Sequence, residues 1–400
     1  MSISRDTVAV LGTAMTDMSR RDLHPDQMAL QAVAEAIADA GVQANDLALV
    51  VVGNAGGARL NDQGSIRGQA WLRKASLGDV PIINVDNSCA GGAAALHLGV
   101  LTALGQDRPI LVLGVEKMWT GDRAATLEAI EAGLPSDYRA DMHARLAGGG
   151  NPAGSILMGL NAAWAEQFMT ERDATLEQIA AVAVKARRNG SMNPLAQCQQ
   201  AVTMDEVLES PQVAGVLTRL MCSSFTDGAA AVIVAASSTS FARPLARIVG
   251  SVARSGCGNI DYHDRLAETA NAAYETFGLG PGDFDLVELH DATSAEELFA
   301  LESLGLFEPG PAGPATWAGD TAIGGGAITV NPSGGLVARG HPLGATGLAQ
   351  VVEIVNHLAG RAGARQIDRA RLGLAVNTGG VVNGDAGYVG MTALAGADAR

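Results

Sequence analysis

In the stretch NVDNSCAGGAAALHLGV, Asn84 to Val100, Cys89 follows a small polar turn at the end of an apolar strand and opens a helix built from Gly and Ala. The first turn of a helix presents unpaired N–H groups and a partial positive charge. Both favour thiolate over thiol, so the position predicts a lowered pKa and a nucleophile. The plainer alternative is a buried cysteine acting as a small hydrophobe. A nucleophilic cysteine needs a base. Of the seven histidines, His24, His97, His143, His263 and His357 lie in segments that read as surface, helix or loop. His290 ends the apolar strand of LVELHDAT, where open α/β sheets place active residues. His341 sits in GLVARGHPLGATG, a Gly-rich loop entering a helix. Each alone reads first as a satisfied polar residue. Their placement at related ends of a repeated unit sets them apart. Cys198, Cys222 and Cys257 read as structural or incidental, Cys257 in the loop SGCGN being the least settled.

The elements that position these residues come from a duplication. Residues 28–53, MALQAVAEAIADAGVQANDLALVVVG, and 265–290, RLAETANAAYETFGLGPGDFDLVELH, match without a gap at an offset of 237. Gly41 meets Gly278, Asp46 meets Asp283, and Leu49-Val50 meets Leu286-Val287. Each copy reads as an amphipathic helix, a Gly stop, a short loop and an apolar strand. In the first half the strand PIINVDNS leads through the Cys89 helix to the strand PILVLGV. In the second, ITVNPSGG leads through GHPLGATG into the helix LAQVVEIVNHLAG and the strand RLGLAVNTGG. Each half opens with an apolar strand (TVAVLG, LARIVG) and closes with one (GAAAVIVAAS, GDAGYVGMTAL). The alternation predicts an α/β fold of two similar halves about a pseudo-twofold axis. The first half comprises 1–116 and 220–240, and the second 241–400. An insertion over 117–219 carries loops (LAGGGNPAG, NGSMNP) and helical pieces (LEQIAAVAVKARRN). An insertion of this size is expected to cover the active site.

Composition narrows the partners. Hydrophobic residues make up 48% and charged residues 17% of the 400, enough for a large core and a buried subunit interface. The formal net charge of −15 speaks against nucleic acid and anionic membrane surfaces. The four cysteines form no CxxC pair, so no metal site is expected, and scattered thiols suit the reducing cytoplasm. No signal peptide is expected, nor any apolar run of the roughly 18 residues that would suggest a membrane span. The insertion carries nine Lys/Arg against twelve Asp/Glu. It is not basic overall, although Lys185, Arg187 and Arg188 form a local cluster that could hold phosphates or simply be a solvated helix face.

The motifs NSCAGGAAALHLG, LGVEKM, LMGLNAAWAEQF, TDGAAAVIVA, LHDAT and NPSGGLVARGHPLGATG, in this order, resemble the thiolase superfamily, and within it the sterol-carrier-protein (nonspecific lipid-transfer) type. The resemblance runs from about residue 7 to 394. It implies a five-layered α-β-α-β-α duplication and an acyl-CoA C-acyltransferase of lipid metabolism. Coenzyme A thioester would be the substrate, with no covalently bound cofactor. Carried over, Cys89 holds the acyl group, His341 takes the thiol proton, and His290 helps bind the thioester oxygen. The N–H groups of Cys89 and Gly379 form an oxyanion hole. Asn331 orients the histidine region beside the substrate, Met158 lines the acyl pocket, and Ser223 touches the pantetheine. Their plainer roles are a turn before Pro332, insertion core and a solvated serine. One motif departs: the second cysteine of the C-terminal CxG motif is replaced by Asn377, and the other family position for it, after HD, is Ala292. The family implies a homodimer or homotetramer and, in some members, a small OB-fold partner bearing a zinc ribbon. Retro-aldolase relatives carry Tyr where this chain has His290, and retention of Cys89, His290 and His341 together speaks against a non-catalytic acyl- or lipid-binding scaffold.

Overall fold

The strands of the first half are β1 (Val8–Met15), β2 (Leu49–Gly53), β3 (Ile82–Val85), β4 (Ile110–Lys117) and, after a hairpin of β5 (Gln212–Ala214) and β6 (Leu217–Thr218), β7 (Asp227–Ala236). Those of the second are β8 (Ala246–Ser255), β9 (Leu286–Glu288), β10 (Thr329–Val330), β11 (Leu372–Val382) and β12 (Asp385–Gly396). The computed structural model describes residues 8–19, 22–146, 154–239, 241 and 244–398. The two halves order their strands identically, β3-β2-β4-β7-β1 and β10-β9-β11-β12-β8. In each, the first three strands of that order run parallel and the remaining pairings are antiparallel. Val8–Val10 of β1 pair with Ala246–Ile248 of β8 and join the halves into one ten-stranded sheet.

The duplication is visible to the residue. The helix Pro25–Ala40 buries Met28, Ala29, Ala32, Val33 and Ala36 and ends at Gly41 with φ 65°. The helix Tyr262–Phe277 ends at Gly278 with φ 63°. Both stops need the left-handed conformation that glycine adopts without penalty. Short turns follow at Ala44–Asp46 and Pro281–Asp283. Asp46 and Asp283 close them by accepting from the N–H three residues back, at 2.7 Å in each case. Helix starts, glycine stops, turns and strand starts all keep the offset of 237.

The layers follow from the packing. The helix Pro25–Ala40 covers the outer face of the first half, against β1, β4 and β7, and Tyr262–Phe277 covers β8 and β12 of the second. Between the halves the helices Gly91–Ala103 and Leu343–Leu358 pack on each other and touch strands of both. This is the five-layered arrangement. The abundance of Gly and Ala has its cause here: a Cβ at Gly92 would lie 2.8 Å from the Gly344 carbonyl oxygen, and one at Gly347 2.6 Å from the Ala93 nitrogen. Larger residues would force the central helices apart.

Between β4 and β7 the described residues hold the helices Arg123–Glu131, Ser136–Leu146, Ile156–Arg172, Leu176–Ser191 and Met204–Leu208. Residues 147–153 of the LAGGGNPAG loop lie outside the described residues. NGSMNP, expected as loop, begins inside the helix Leu176–Ser191. Gly190 in that helix has a use: the NPSGG loop lies against it, and a Cβ on Gly334 would be 3.0 Å from the Gly190 Cα. Asn189 and Asn193 then donate side-chain N–H to the carbonyls of Asn331 and Ser333 at 3.0 and 2.9 Å. The insertion thereby holds the loop that leads to His341.

Candidate active site

After β3 the chain makes one tight turn at Ser88–Ala90 before the helix Gly91–Ala103 begins. Cys89 therefore sits just ahead of the helix, within that turn. Ser88 has φ 52°, a conformation L residues rarely adopt, and such strain concentrates at functional sites. From the other half, β11 presses against the turn. A Cβ on Gly379 would lie 2.3 Å from the Asn87 carbonyl oxygen and 2.5 Å from the Ala90 nitrogen, so only glycine brings this strand so close. Cys89 and Gly379 line one cavity of about 730 Å³.

His290 and His341 line the same cavity. Cys89 Sγ and one ring nitrogen from each histidine all lie within 4.8 Å of one another. The rings meet edge-on, with centroids 5.0 Å apart and planes at 83°. Their other nitrogens set the tautomers. Thr346 Oγ1 donates to the Pro342 carbonyl at 3.1 Å, so it accepts from His341 Nδ1–H at 2.8 Å, which leaves the His341 lone pair on Nε2. Asn377 Nδ2 donates to His290 Nδ1 at 2.9 Å, so His290 carries its hydrogen on Nε2. One imidazole faces the cavity as an acceptor and the other as a donor. A cysteine and two histidines at this separation resemble a soft-metal ligand set. The hydrogen that Asn377 fixes on His290 Nε2 removes the lone pair such a set would need.

The ionisation differs from the expectation of a lowered thiol pKa. Burial pushes the Cys89 thiol up to about 12; the Ser88 hydroxyl opposes this, and the Glu296 and Glu116 carboxylates add to it. Burial and the nearby Arg339 guanidinium hold His290 down to about 3. Burial, His290 and Arg339 hold His341 well below the ordinary histidine range. Desolvation outweighs the helix-terminus field, because the turn is closed in by both halves. The resting pair is thiol and neutral imidazole.

A buried polar frame supports the site. Glu116, at the end of β4, accepts from Asn54 Nδ2, Ala55 N, Gly56 N and Gly344 N at 2.9–3.0 Å. It ties the first half to the start of the helix that follows His341. Burial pushes its carboxyl up to about 7 against these donors. Arg339 donates to Glu288 at 3.0 Å beside Ser333. Asn331, whose φ is 50°, accepts from the Leu289 N–H at 2.9 Å and donates to Glu297 at 3.0 Å. Expected beside the substrate, Asn331 lies behind the cavity wall, where it anchors the residue before His290.

Met158 and Ser223 are in the wall, and Ser223 N–H donates to the Ala292 carbonyl at 2.9 Å. The basic cluster divides. Lys185 is buried and paired with Glu297 at 2.5 Å, so it is neither a phosphate contact nor part of a solvated face. Arg187 lines the cavity and Arg188 is exposed. Cys257 is exposed and its S–H meets Asn259. Cys198 and Cys222, read as structural or incidental, reach the wall; the Cys222 S–H donates to the Thr218 carbonyl at 3.4 Å and burial pushes this thiol up to about 12. Sequence reasoning passed over Glu296 and Tyr262, both in the wall. Glu296 and Glu297 open the helix Ser294–Ser303, where acidic residues are ordinary helix-start residues, so no local signal marked them.

The family description "Thiolase, N-terminal domain" matches residues 8–238, and "Thiolase C-terminal domain-like" matches 258–389. An acetyl-CoA acetyltransferase of Methanothermobacter thermautotrophicus is 37% identical over 388 residues, covering 93% of this chain and 96% of that protein. Sterol carrier protein 2 of Bos taurus is 35% identical over 397 residues, covering 94% of this chain and 70% of that protein. A solved structure described as an Ltp2-ChsH2(DUF35) aldolase shares the fold with a TM-score of 0.79 at 21% identity, covering 99% of this chain and 100% of that one. The match of the N-terminal domain over more than half of the chain, together with relatives of this identity along nearly its whole length, makes this protein a member of the thiolase family and an acyltransferase of that family.

Proposed function

We propose that this chain makes or cleaves a β-ketoacyl thioester of coenzyme A through an S-acyl-Cys89 intermediate. The observation that carries the reading is the convergence of a thiol, an imidazole acceptor and an imidazole donor within 4.8 Å at one cavity. As Cys89 Sγ attacks a thioester or ketone carbon, its hydrogen passes to His341 Nε2. The Cys89 and Gly379 N–H groups receive the oxyanion, each contributing about 3–4 kcal/mol to the barrier, and His290 Nε2–H holds the thioester oxygen of the second substrate. Met158, Leu157 and Val381 supply an apolar wall for the acyl chain, and Arg187 and Arg219 supply positive charge for an anionic thioester. The wall residues drawn from Trp119 through Arg219 support the insertion as a cover over the site.

Incubation with acetyl-CoA followed by intact-protein mass spectrometry tests this. The wild type gains one acetyl group and Cys89→Ala gains none, with turnover lost by on the order of 10⁴-fold or more. An adduct that survives Cys89→Ala, or no adduct with any acyl-CoA, defeats the reading and favours an acyl-binding scaffold.

The assembly readings rest on less. The edge strand β3 leaves Ile83 43% exposed, and an open apolar edge favours pairing with a second copy. A homodimer, or a homotetramer built from two, is expected by light scattering. The fold shared with an aldolase described with a DUF35 protein supports a partner-dependent form of the same chemistry, with a small OB-fold, zinc-ribbon subunit that a pull-down from the native host would recover. Four free thiols suit a cytoplasmic setting. Among the described residues, no helix is long and apolar enough to cross a membrane.

A further inference from the structure

We propose that Glu296 is the acid and base for the α-carbon of the second substrate, the task left open by Asn377 and Ala292, with Tyr262 and the Ala292 N–H holding its carboxyl group and Thr378 behind Tyr262. This rests on the acyl-transfer reading above. Glu296 is 4% exposed and lines the cavity shared by Cys89, His290 and His341. Tyr262 Oη donates to Glu296 Oε1 at 2.9 Å, and the Ala292 N–H donates to Oε2 at 3.2 Å. Among the described residues both partners are neutral. The adjacent Glu297, by contrast, faces Lys185 at 2.5 Å and Asn331 at 3.0 Å. Two neighbouring carboxyls thus have opposite fates. One is locked in an ion pair behind the wall. The other is held at the cavity by groups that do not compel it to stay ionised.

The strand that lost the second cysteine still serves both groups. Asn377 sets the tautomer of His290, and the next residue, Thr378, contacts Tyr262 Oη at 2.5 Å. Cys89 senses the Glu296 carboxylate, and Tyr262 senses both Glu296 and Cys89, so the three share one electrostatic neighbourhood. Burial pushes Glu296 up to about 8, against the Tyr262 and Ala292 donors. A carboxyl poised near neutral pH is suited to both giving and taking a proton. The titratable groups that share its cavity wall are Tyr262, Cys89, Cys198, Cys222, His290 and His341. Arg123, Arg187 and Arg219 complete the charged part of the wall.

The step balances without any further reagent. In cleavage, the Cys89 hydrogen passes to His341 as sulfur bonds to the β-keto carbon. The bond from that carbon to the α-carbon breaks, its electron pair goes to the α-carbon, and Glu296 as acid donates a proton there. This releases an acyl-CoA and leaves S-acyl-Cys89. Solvent then restores the Glu296 proton and takes that of His341; the thiol of coenzyme A takes the acyl group, and its proton passes through His341 to the departing Cys89 sulfur. Condensation is the reverse, with Glu296 carboxylate removing the α-proton. Removal of the α-hydrogen, read as its exchange with solvent, therefore speeds up as pH passes upward through about 8.

Acetyl-CoA in D₂O is the probe. NMR follows exchange of its methyl hydrogens, and mass spectrometry follows acetylation of Cys89. The wild type exchanges. Glu296→Gln, which preserves the shape of the side chain, exchanges about 10²-fold more slowly or worse, while Cys89 is acetylated at close to the wild-type rate. Tyr262→Phe, which removes a donor to the carboxylate, keeps acetylation and moves the exchange midpoint to higher pH. The proposal is overturned if Glu296→Gln exchanges at near the wild-type rate, if it loses acetylation in equal measure, or if the wild type acetylates Cys89 without exchanging. A wild type that never acetylates Cys89 refutes the acyl-transfer reading itself.

Discussion

At the end of β2 the first half has Gly53; 237 positions on, beyond the end of β9, the second half has His290. In the first half this place is a packing contact, where a Cβ would lie 2.5 Å from the Gly91 carbonyl oxygen. In the second it carries an imidazole into the cavity. The central helices differ in the same way. Cys89 precedes Gly91–Ala103 and His341 precedes Leu343–Leu358, so the same scaffold position supplies a thiol from one copy and an imidazole beside it from the other. Duplication brings two helix starts together. Divergence makes them complementary, and the first half trades chemistry at Gly53 for the close approach that puts its helix there.

This division of labour is open to test. His341→Ala removes the acceptor supplied by the second copy and should slow Cys89 acylation by about 10²–10⁴-fold, read as the rate of adduct formation. Near-normal acylation would mean that His290 serves as the base and that the copies are not divided as described. Asn377→Asp puts an acceptor beside His290 Nδ1, moves the imidazole hydrogen to that nitrogen and strips the donor from Nε2. The carbon–carbon step should fall about 10²-fold, with acylation much less affected; equal loss in both would show that His290 acts in the first step as well. Gly53→Ala probes the packing role and should destabilise the fold by about 1–3 kcal/mol in chemical denaturation. An unchanged midpoint would show that the first half does not need its glycine.

The outline of this site was legible because its signals are short-range. Apolar alternation, helical spacing and glycine stops set the repeat, and the repeat carried His290 and His341 to matching strand and helix ends. The substitution of Asn377 for cysteine was equally plain. The bond from Asn377 to His290, 87 positions away, was not, nor was the contact from Tyr262 to Thr378 across 116. Lys185 shows the same limit: KARRN reads as a basic patch, yet its lysine is consumed by Glu297.

The sequence by itself determined the duplicated α/β scaffold, the candidate nucleophile and the two histidines that converge on it, and the absence of a second thiol at its usual places, because these depend on residue type and local backbone preference. Tertiary structure alone decided that Cys89 rests protonated, which imidazole accepts and which donates, and that of two adjacent carboxyls one meets a lysine and the other meets neutral donors at the cavity. Proton affinity depends on desolvation and on partners distant in the chain, and those come into being only when the halves close on each other.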